Sequence, residues 1–239
     1  MRPTLALALC LLAACSTRPI SNSGYPDTSM FARAHQAPTY RGELTEAEVL
    51  GLDPGSLVVE EDITAELDRP RTPLALAGGA PLLVVQSGAD LPDDGMIRSL
   101  EAHFRVSVLS GVPNDPDQPS HGYSRRLRLA AARAGIDKLL VYWGVLESSI
   151  EGSSTKAVSW LPIVGWNVPD EDQRLRIRLK LALIDVRTGQ WEMCTPGAFE
   201  NSETSSAISR EASDQGQVAE LKALAYADAA KYLAERFVR

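Results

Sequence analysis

The chain has 239 residues, a formal net charge of -7 and 44% hydrophobic residues. Such a length holds one medium domain with an extension, and its apolar content is ordinary for a globular protein. A net acidic chain is a poor general binder of nucleic acid, whose phosphates call for a basic surface, so no nucleic-acid partner is expected. The N-terminus begins with the charged pair Met1-Arg2 and continues into an apolar run over residues 5–12. That run suits the core of a signal peptide and is too short to span a bilayer as a helix. It closes on Leu12-Ala13-Ala14-Cys15, followed by Ser16.

This ending resembles the bacterial lipobox, in which a branched apolar residue and two small residues precede a lipid-modified cysteine. The resemblance covers residues 1–16. It implies a lipoprotein signal peptide over residues 1–14, cleavage before Cys15, and acyl chains such as palmitate on Cys15 as the attachment to a membrane. Two or more acyl chains make such an anchor effectively permanent, at about 0.8 kcal/mol per buried methylene. In lipoproteins of enteric type an aspartate after the cysteine favours the inner membrane. Ser16 stands there instead, which implies the inner leaflet of the outer membrane, facing the periplasm, with the inner membrane as the alternative.

With Cys10 inside the signal and Cys15 acylated, Cys194 is left alone, so an intrachain disulfide is not expected. Cys194 reads as a small apolar residue of a strand. Residues 15–42, rich in Ser, Pro, Gly and Thr, read as a lipidated tether. Residues 43–81 read as a short helical N-terminal subdomain and linker. Thr45-Glu46-Ala47-Glu48 is a capping box for a helix ending near Gly51. Glu60-Glu61-Asp62 places acids at the start of a second helix, with Ile63 and Leu67 on one face.

Residues 82–239 read as the periplasmic α/β domain. The apolar run 82–85 predicts a buried strand. A helix follows over 90–104, a strand over 106–109, a loop over 111–122 and a helix over 123–134 stopped by Gly135. The third strand spans 138–146. Residues 147–155 are polar and soft. An apolar segment then runs from Trp160 to Trp166. Residues 174–186 alternate strictly, with leucines and Ile177 on one face and Arg174, Arg176, Arg178 and Lys180 on the other, as in a strand with one solvated face. Residues 185–191 form a hairpin into a fifth strand ending near Cys194. The Ser-rich stretch 201–216 reads as a loop, and 217–237 as a long amphipathic helix. The fold class is therefore α/β with an α+β edge: a mixed sheet of about five strands in β-α-β-α-β-β-β-α order. Helices lie mainly on one face, with a small helical N-terminal extension.

Residues 82–88, 131–143 and 183–190 give the domain a resemblance to the α/β domain of three envelope proteins. These are the curli-secretion lipoprotein, the lipoprotein activators of penicillin-binding proteins, and the N-terminal domain of the Tol translocation protein. The resemblance covers residues 82–239 and departs at the Trp160–Trp166 segment. It implies a fold and carries over no functional residue.

No G-x-S-x-G elbow, H-E-x-x-H helix, phosphate loop or dinucleotide fingerprint is present, so no catalytic, cofactor or metal residue is assigned. Ser87 follows the first strand, where α/β folds place ligand loops. As a nucleophile it needs a histidine base, and the candidates are His103 and His121. His121 with Asp115 and Asp117 can also be read as a metal loop or as a solvated turn, and His35 falls in the tether. Two features are candidate interaction sites. Trp160 and Trp166 either fold over the core or form an apolar tip for a partner or a lipid interface. Arg174, Arg176, Arg178 and Lys180 make a basic ladder about 20 Å long by strand rise, either paired with nearby acids or binding an anionic polymer or lipid. The sequence thus points to a non-enzymatic envelope lipoprotein acting as an assembly or interaction factor on an envelope protein partner. The alternative is a membrane-tethered periplasmic hydrolase using Ser87 or His121.

Overall fold

The computed structural model describes residues 18–22, 42–52, 57–113, 122–150, 160–162, 173–202 and 210–239. In chain order the elements are β1 (Arg18–Pro19), α1 (Glu46–Leu50), α2 (Glu60–Asp68), β2 (Pro81–Gln86), α3 (Asp94–Glu101), β3 (Arg105–Leu109), α4 (Tyr123–Arg133) and β4 (Lys138–Ile150). They continue as β5 (Trp160–Pro162), β6 (Gln173–Asp185), β7 (Trp191–Cys194), β8 (Phe199–Ser202) and α5 (Arg210–Phe237). The main sheet has the order β3-β2-β4-β6-β7. β2 runs parallel to β3 and β4, whereas β6 and β7 add antiparallel strands. This is the mixed α/β sheet with an antiparallel side that the alternation of elements predicts.

Side chains alternate across the sheet, so each strand feeds two cores. Leu82, Val84, Leu140, Tyr142, Leu181 and Leu183 face the heavier helical layer, where Leu100 of α3 and Leu221, Tyr226, Leu233 and Phe237 of α5 meet them. Leu83, Val85, Leu139, Val141, Ala182 and Ile184 face the lighter layer, formed by Leu127 and Ala131 of α4 and Val49 of α1. The apolar run of β2 thus has a cause: the strand is buried on both sides, which leaves no polar positions to alternate. Residues 42–51 close onto the lighter face. The capping box forms as expected, with Thr45 Oγ1 accepting from Glu48 N at 3.2 Å and Glu48 Oε2 accepting from Thr45 N at 2.9 Å. Gly51 ends the helix at φ +81°, a conformation that favours glycine.

The largest departure from expectation is in β4. The third strand does not stop at residue 146. It continues to Ile150 and pairs with β6 at every position from Lys138↔Asp185 to Ile150↔Gln173. Glu147-Ser148-Ser149 reads as part of a soft polar stretch, but backbone pairing with β6 supplies its hydrogen bonds regardless of side chain. The distal halves of β4 and β6 therefore form a ribbon, or arm, that outruns β2. Its edges are occupied by short strands absent from the expected order. β1 and β5 line the β4 edge, and β8 lines the β6 edge. Within the stretch expected as tether, Arg18 and Pro19 pair with β4, Ile20–Asn22 form a 3-10 turn, and Ile20 is buried in the larger core. The stretch expected as a loop over 201–216 is partly the end of β8 and partly the first turns of α5, which starts at Arg210.

Candidate interaction surface

The end of β2 is the place where an α/β sheet of this kind presents chemistry. β2 leads to α3 on one face and β3 leads to α4 on the other, so a crevice is expected between their ends. Here it is closed. Gly88 N donates to Gly111 O at 3.0 Å, and Gly111 N donates to Ala89 O at 2.9 Å. Gly111 lies so near Gln86 that a Cβ there would fall 1.8 Å from the Gln86 carbonyl oxygen. Only glycine permits that approach. Ser87 is 1% exposed. Its Oγ accepts from Leu44 N at 2.9 Å, and Trp143 Nε1 donates to Leu44 O at 2.7 Å. Both backbone groups of Leu44 are thus held by side chains from the sheet. Ser87 works as a clamp on the segment before α1, with its oxygen turned away from solvent.

Beside Ser87 lies a polar network on the opposite face. Gln86 Oε1 accepts from Asp93 N at 2.7 Å and from Tyr142 OH at 2.5 Å. Asp93 Oδ2 accepts from Tyr226 OH at 2.5 Å and Lys222 Nζ at 2.9 Å. The Tyr142 and Tyr226 rings meet edge to face at 6.0 Å. Burial pushes both tyrosine hydroxyls well above their ordinary pKa, so they remain neutral donors. Gln86 Nε2 is buried without a protein acceptor. The network ties α3, α5, β2 and β4 together and contains no base aimed at a nucleophile.

The basic ladder lies on the lighter face of β6, beyond the cover of α4. Arg176, Arg178 and Lys180 stand opposite Glu147, Val145 and Trp143 of β4. Glu147 sits between the first two. Its Oε2 meets Arg176 Nη2 at 2.6 Å, and its Oε1 meets Arg178 Nη2 at 2.6 Å. The Glu147 side chain is 9% exposed, against 17% for Arg176 and 56% for Arg178. Lys180 forms an ion pair with Glu46 at the start of α1. The ladder ends where Ala182 and Ile184 pass beneath the helical layer.

Glu43 adds a second acid near Lys180. Burial raises its pKa to about 7, partly countered by the charge of Lys180. A carboxyl whose folded pKa exceeds its unfolded value of about 4.3 binds more protons when folded, so its effect on stability becomes unfavourable as pH rises through that interval. Glu43→Gln should therefore raise the melting temperature at pH 8 and leave it nearly unchanged at pH 5. An equal shift at both values would show that the charge of Glu43 has no part in docking the segment.

The other candidates are distributed as follows. Trp160 is in β5 opposite Ser149. Trp166, Cys15, His35, His121, Asp115, Asp117 and the side chains of Trp160 and Arg174 lie outside the described residues. The backbone of Arg174 pairs with Ser149. His103 is exposed at the end of α3, its ring 6.1 Å from that of Phe104, and is not brought to Ser87. Cys194 is buried, which pushes its thiol to about 11. One surface was missed. Leu57, Val58, Ile63 and Leu67, in and before α2, are exposed, at 88%, 65%, 46% and 71%. Val59, Ile63 and Leu67 recur every four residues, the signal of one helical face. That signal shows the face but not that it stays uncovered.

The fold and this surface define a mixed α/β domain with a basic sheet arm and a sealed strand end. A family model for YafT bacterial lipoproteins matches residues 45–236, and the chain belongs to that family. It is thus an envelope lipoprotein by family. A search of curated proteins found no match. Among solved structures, the PelC dodecamer from Paraburkholderia phytofirmans in space group P6 is 16% identical, with a TM-score of 0.32, covering 69% of this chain and 93% of that one. A single-substitution variant of the same dodecamer in space group C2 is 18% identical, with a TM-score of 0.34 and the same coverage. The lipoprotein GNA1162 from Neisseria meningitidis is 14% identical, with a TM-score of 0.26, covering 61% of this chain and 99% of that one. Among the described residues no helix is long and apolar enough to cross a membrane.

Proposed function

We propose that this protein is a non-enzymatic assembly or interaction factor of the cell envelope. In this reading residues 1–14 are removed, Cys15 is acylated, and the domain is held at the inner leaflet of the outer membrane, facing the periplasm. The partner is another envelope protein. The observation that carries the reading is the sealed end of β2. Ser87, which follows the strand where this fold presents a nucleophile, is 1% exposed and its oxygen is engaged by Leu44 N. A serine so placed is closed off from a substrate in solvent. The exposed apolar residues of α2 and the basic arm supply surfaces suited to contact rather than turnover.

Two experiments test it. A fluorophosphonate probe should leave the folded protein unlabelled. Labelling that disappears in Ser87→Ala would restore the hydrolase alternative. Cys15→Ala should abolish incorporation of labelled fatty acid in cells, and continued incorporation in that variant would overturn the lipid attachment. In-cell crosslinking from Arg178 and Leu67 then names the partner.

A further inference from the structure

We infer that the distal arm of the sheet lies against the bilayer that the acyl anchor enters, with its arginines on anionic lipid headgroups. This rests on the acylation of Cys15 proposed above. The connection runs through β1. Arg18 pairs with Leu146 and Pro19 with Val145, which adds the N-terminus to the β4 edge of the arm. The next residue, Ile20, is 1% exposed and seated on Gly144. A Cβ at Gly144 would fall 2.3 Å from Ile20 Cδ1, so the two residues are fitted to each other. Only Ser16 and Thr17 separate Cys15 from Arg18. Three residue steps span at most about 11 Å when extended. The anchor is therefore tied to the arm itself. Had residues 15–42 all been free, the domain could have stood some ~90 Å from the membrane.

What the arm carries at this end fits a lipid surface. β5 occupies the same edge directly beyond β1, with Pro162 opposite Glu147 and Trp160 opposite Ser149. Tryptophan and neighbouring apolar residues are favoured at the headgroup level. Across the arm, Arg174, Arg176 and Arg178 stand at the positions opposite Ser149, Glu147 and Val145. Against these three arginines, among the described residues, the anchored end places Glu147, between two of them, and Glu200 of β8 opposite Arg176. The chain as a whole carries a net charge of -7. An anionic bilayer repels such a body except where cations lead, and the attraction acts within about a Debye length of the surface, ~10 Å at 0.1 M salt. The ladder lies two strand spacings, about 10 Å, across the sheet from β1, so charge and tether act at the same end of the sheet.

The test uses the full mature acylated protein in vesicles of phosphatidylethanolamine and phosphatidylglycerol that carry a headgroup-attached quencher. Cys194 is buried, so a fluorophore on an introduced cysteine reports one position. Ser148→Cys marks the arm, and Arg187→Cys marks the opposite end of the β4–β6 ribbon, about 40 Å away by strand rise. The Ser148 position should be strongly quenched and the Arg187 position weakly. Ile20→Asp, or Gly144→Val as a second route, should free β1, keep the acyl chain and bring both positions to the same weak quenching. Arg178→Glu should reduce quenching at Ser148 in phosphatidylglycerol vesicles and leave it unchanged in phosphatidylcholine vesicles. Equal quenching at both positions of the acylated protein would overturn the inference alone. So would quenching at Ser148 that grows with protein density, because a second copy would then cover the arm. Absence of acyl chains from the wild-type chain would sink the anchor and the inference together.

Discussion

Replacing Glu147 by alanine should lower the unfolding free energy by about 3 kcal/mol, the low end of what removing one partner from a buried ion pair costs. The carboxylate is 9% exposed and is shared by Arg176 and Arg178, with Nη2 contacts of 2.6 Å to each. The two arginines do not count equally. Arg178 is 56% exposed, and its share is that of a surface pair, below about 1 kcal/mol. Arg176 is 17% exposed, so its ion pair with Glu147 is the more buried of the two and accounts for most of the loss. In urea the midpoint should fall by about 1.5 M for a slope of ~2 kcal/mol/M. The double variant Glu147→Leu, Arg176→Leu should recover much of the loss, because both members of the buried pair are then apolar. A midpoint unmoved by Glu147→Ala would show that the arginines find water as readily without the acid.

Asp93→Ala should cost about 2–3 kcal/mol, through the buried donors it strands. Tyr226 is 1% exposed, and its hydroxyl donates to Asp93 Oδ2 at 2.5 Å. Lys222, with a side chain 17% exposed, contacts the same oxygen at 2.9 Å. Asp93→Asn keeps an acceptor for the tyrosine and should cost about half as much. Adding Tyr226→Phe to Asp93→Ala removes one stranded donor and should restore part of the stability. The coupling can be read from a thermodynamic cycle by calorimetry. Strict additivity of the two substitutions would show that Tyr226 and Asp93 do not depend on each other. The network joins α5 to the end of β2, so its loss should also loosen the C-terminal helix, visible as faster amide exchange along α5.

The candidate surface was partly legible. The ladder could be read because a strand with one solvated face writes its period of two directly into the sequence. Glu147 could not be assigned to it, since the acid and its arginines are about thirty residues apart and their meeting depends on the register of β4 on β6. Ser87 was identified as the residue after the first strand. Its closure by Leu44 was not visible, because a backbone N–H clamped by a distant hydroxyl leaves no mark in the composition. α2 gave an apolar face, yet nothing local distinguishes a covered face from a bare one.

By itself the sequence determined the buried strand at β2, the long helix α5, the capping box at Thr45 and Glu48, the alternation of β6, and the signal-like start that ends on Cys15. Each is a pattern with a short period or a local hydrogen bond, so neighbouring residues suffice to encode it. Only the tertiary structure decided that β4 continues through Glu147-Ser148-Ser149, that β8 lines the far edge, and that residues 18–20 join the arm. Those decisions are made by backbone groups pairing across long stretches of chain, and the backbone is the same for every residue type. The expected tether therefore changes its meaning. Arg18 and Pro19 pair with β4, and Ile20 is buried on Gly144.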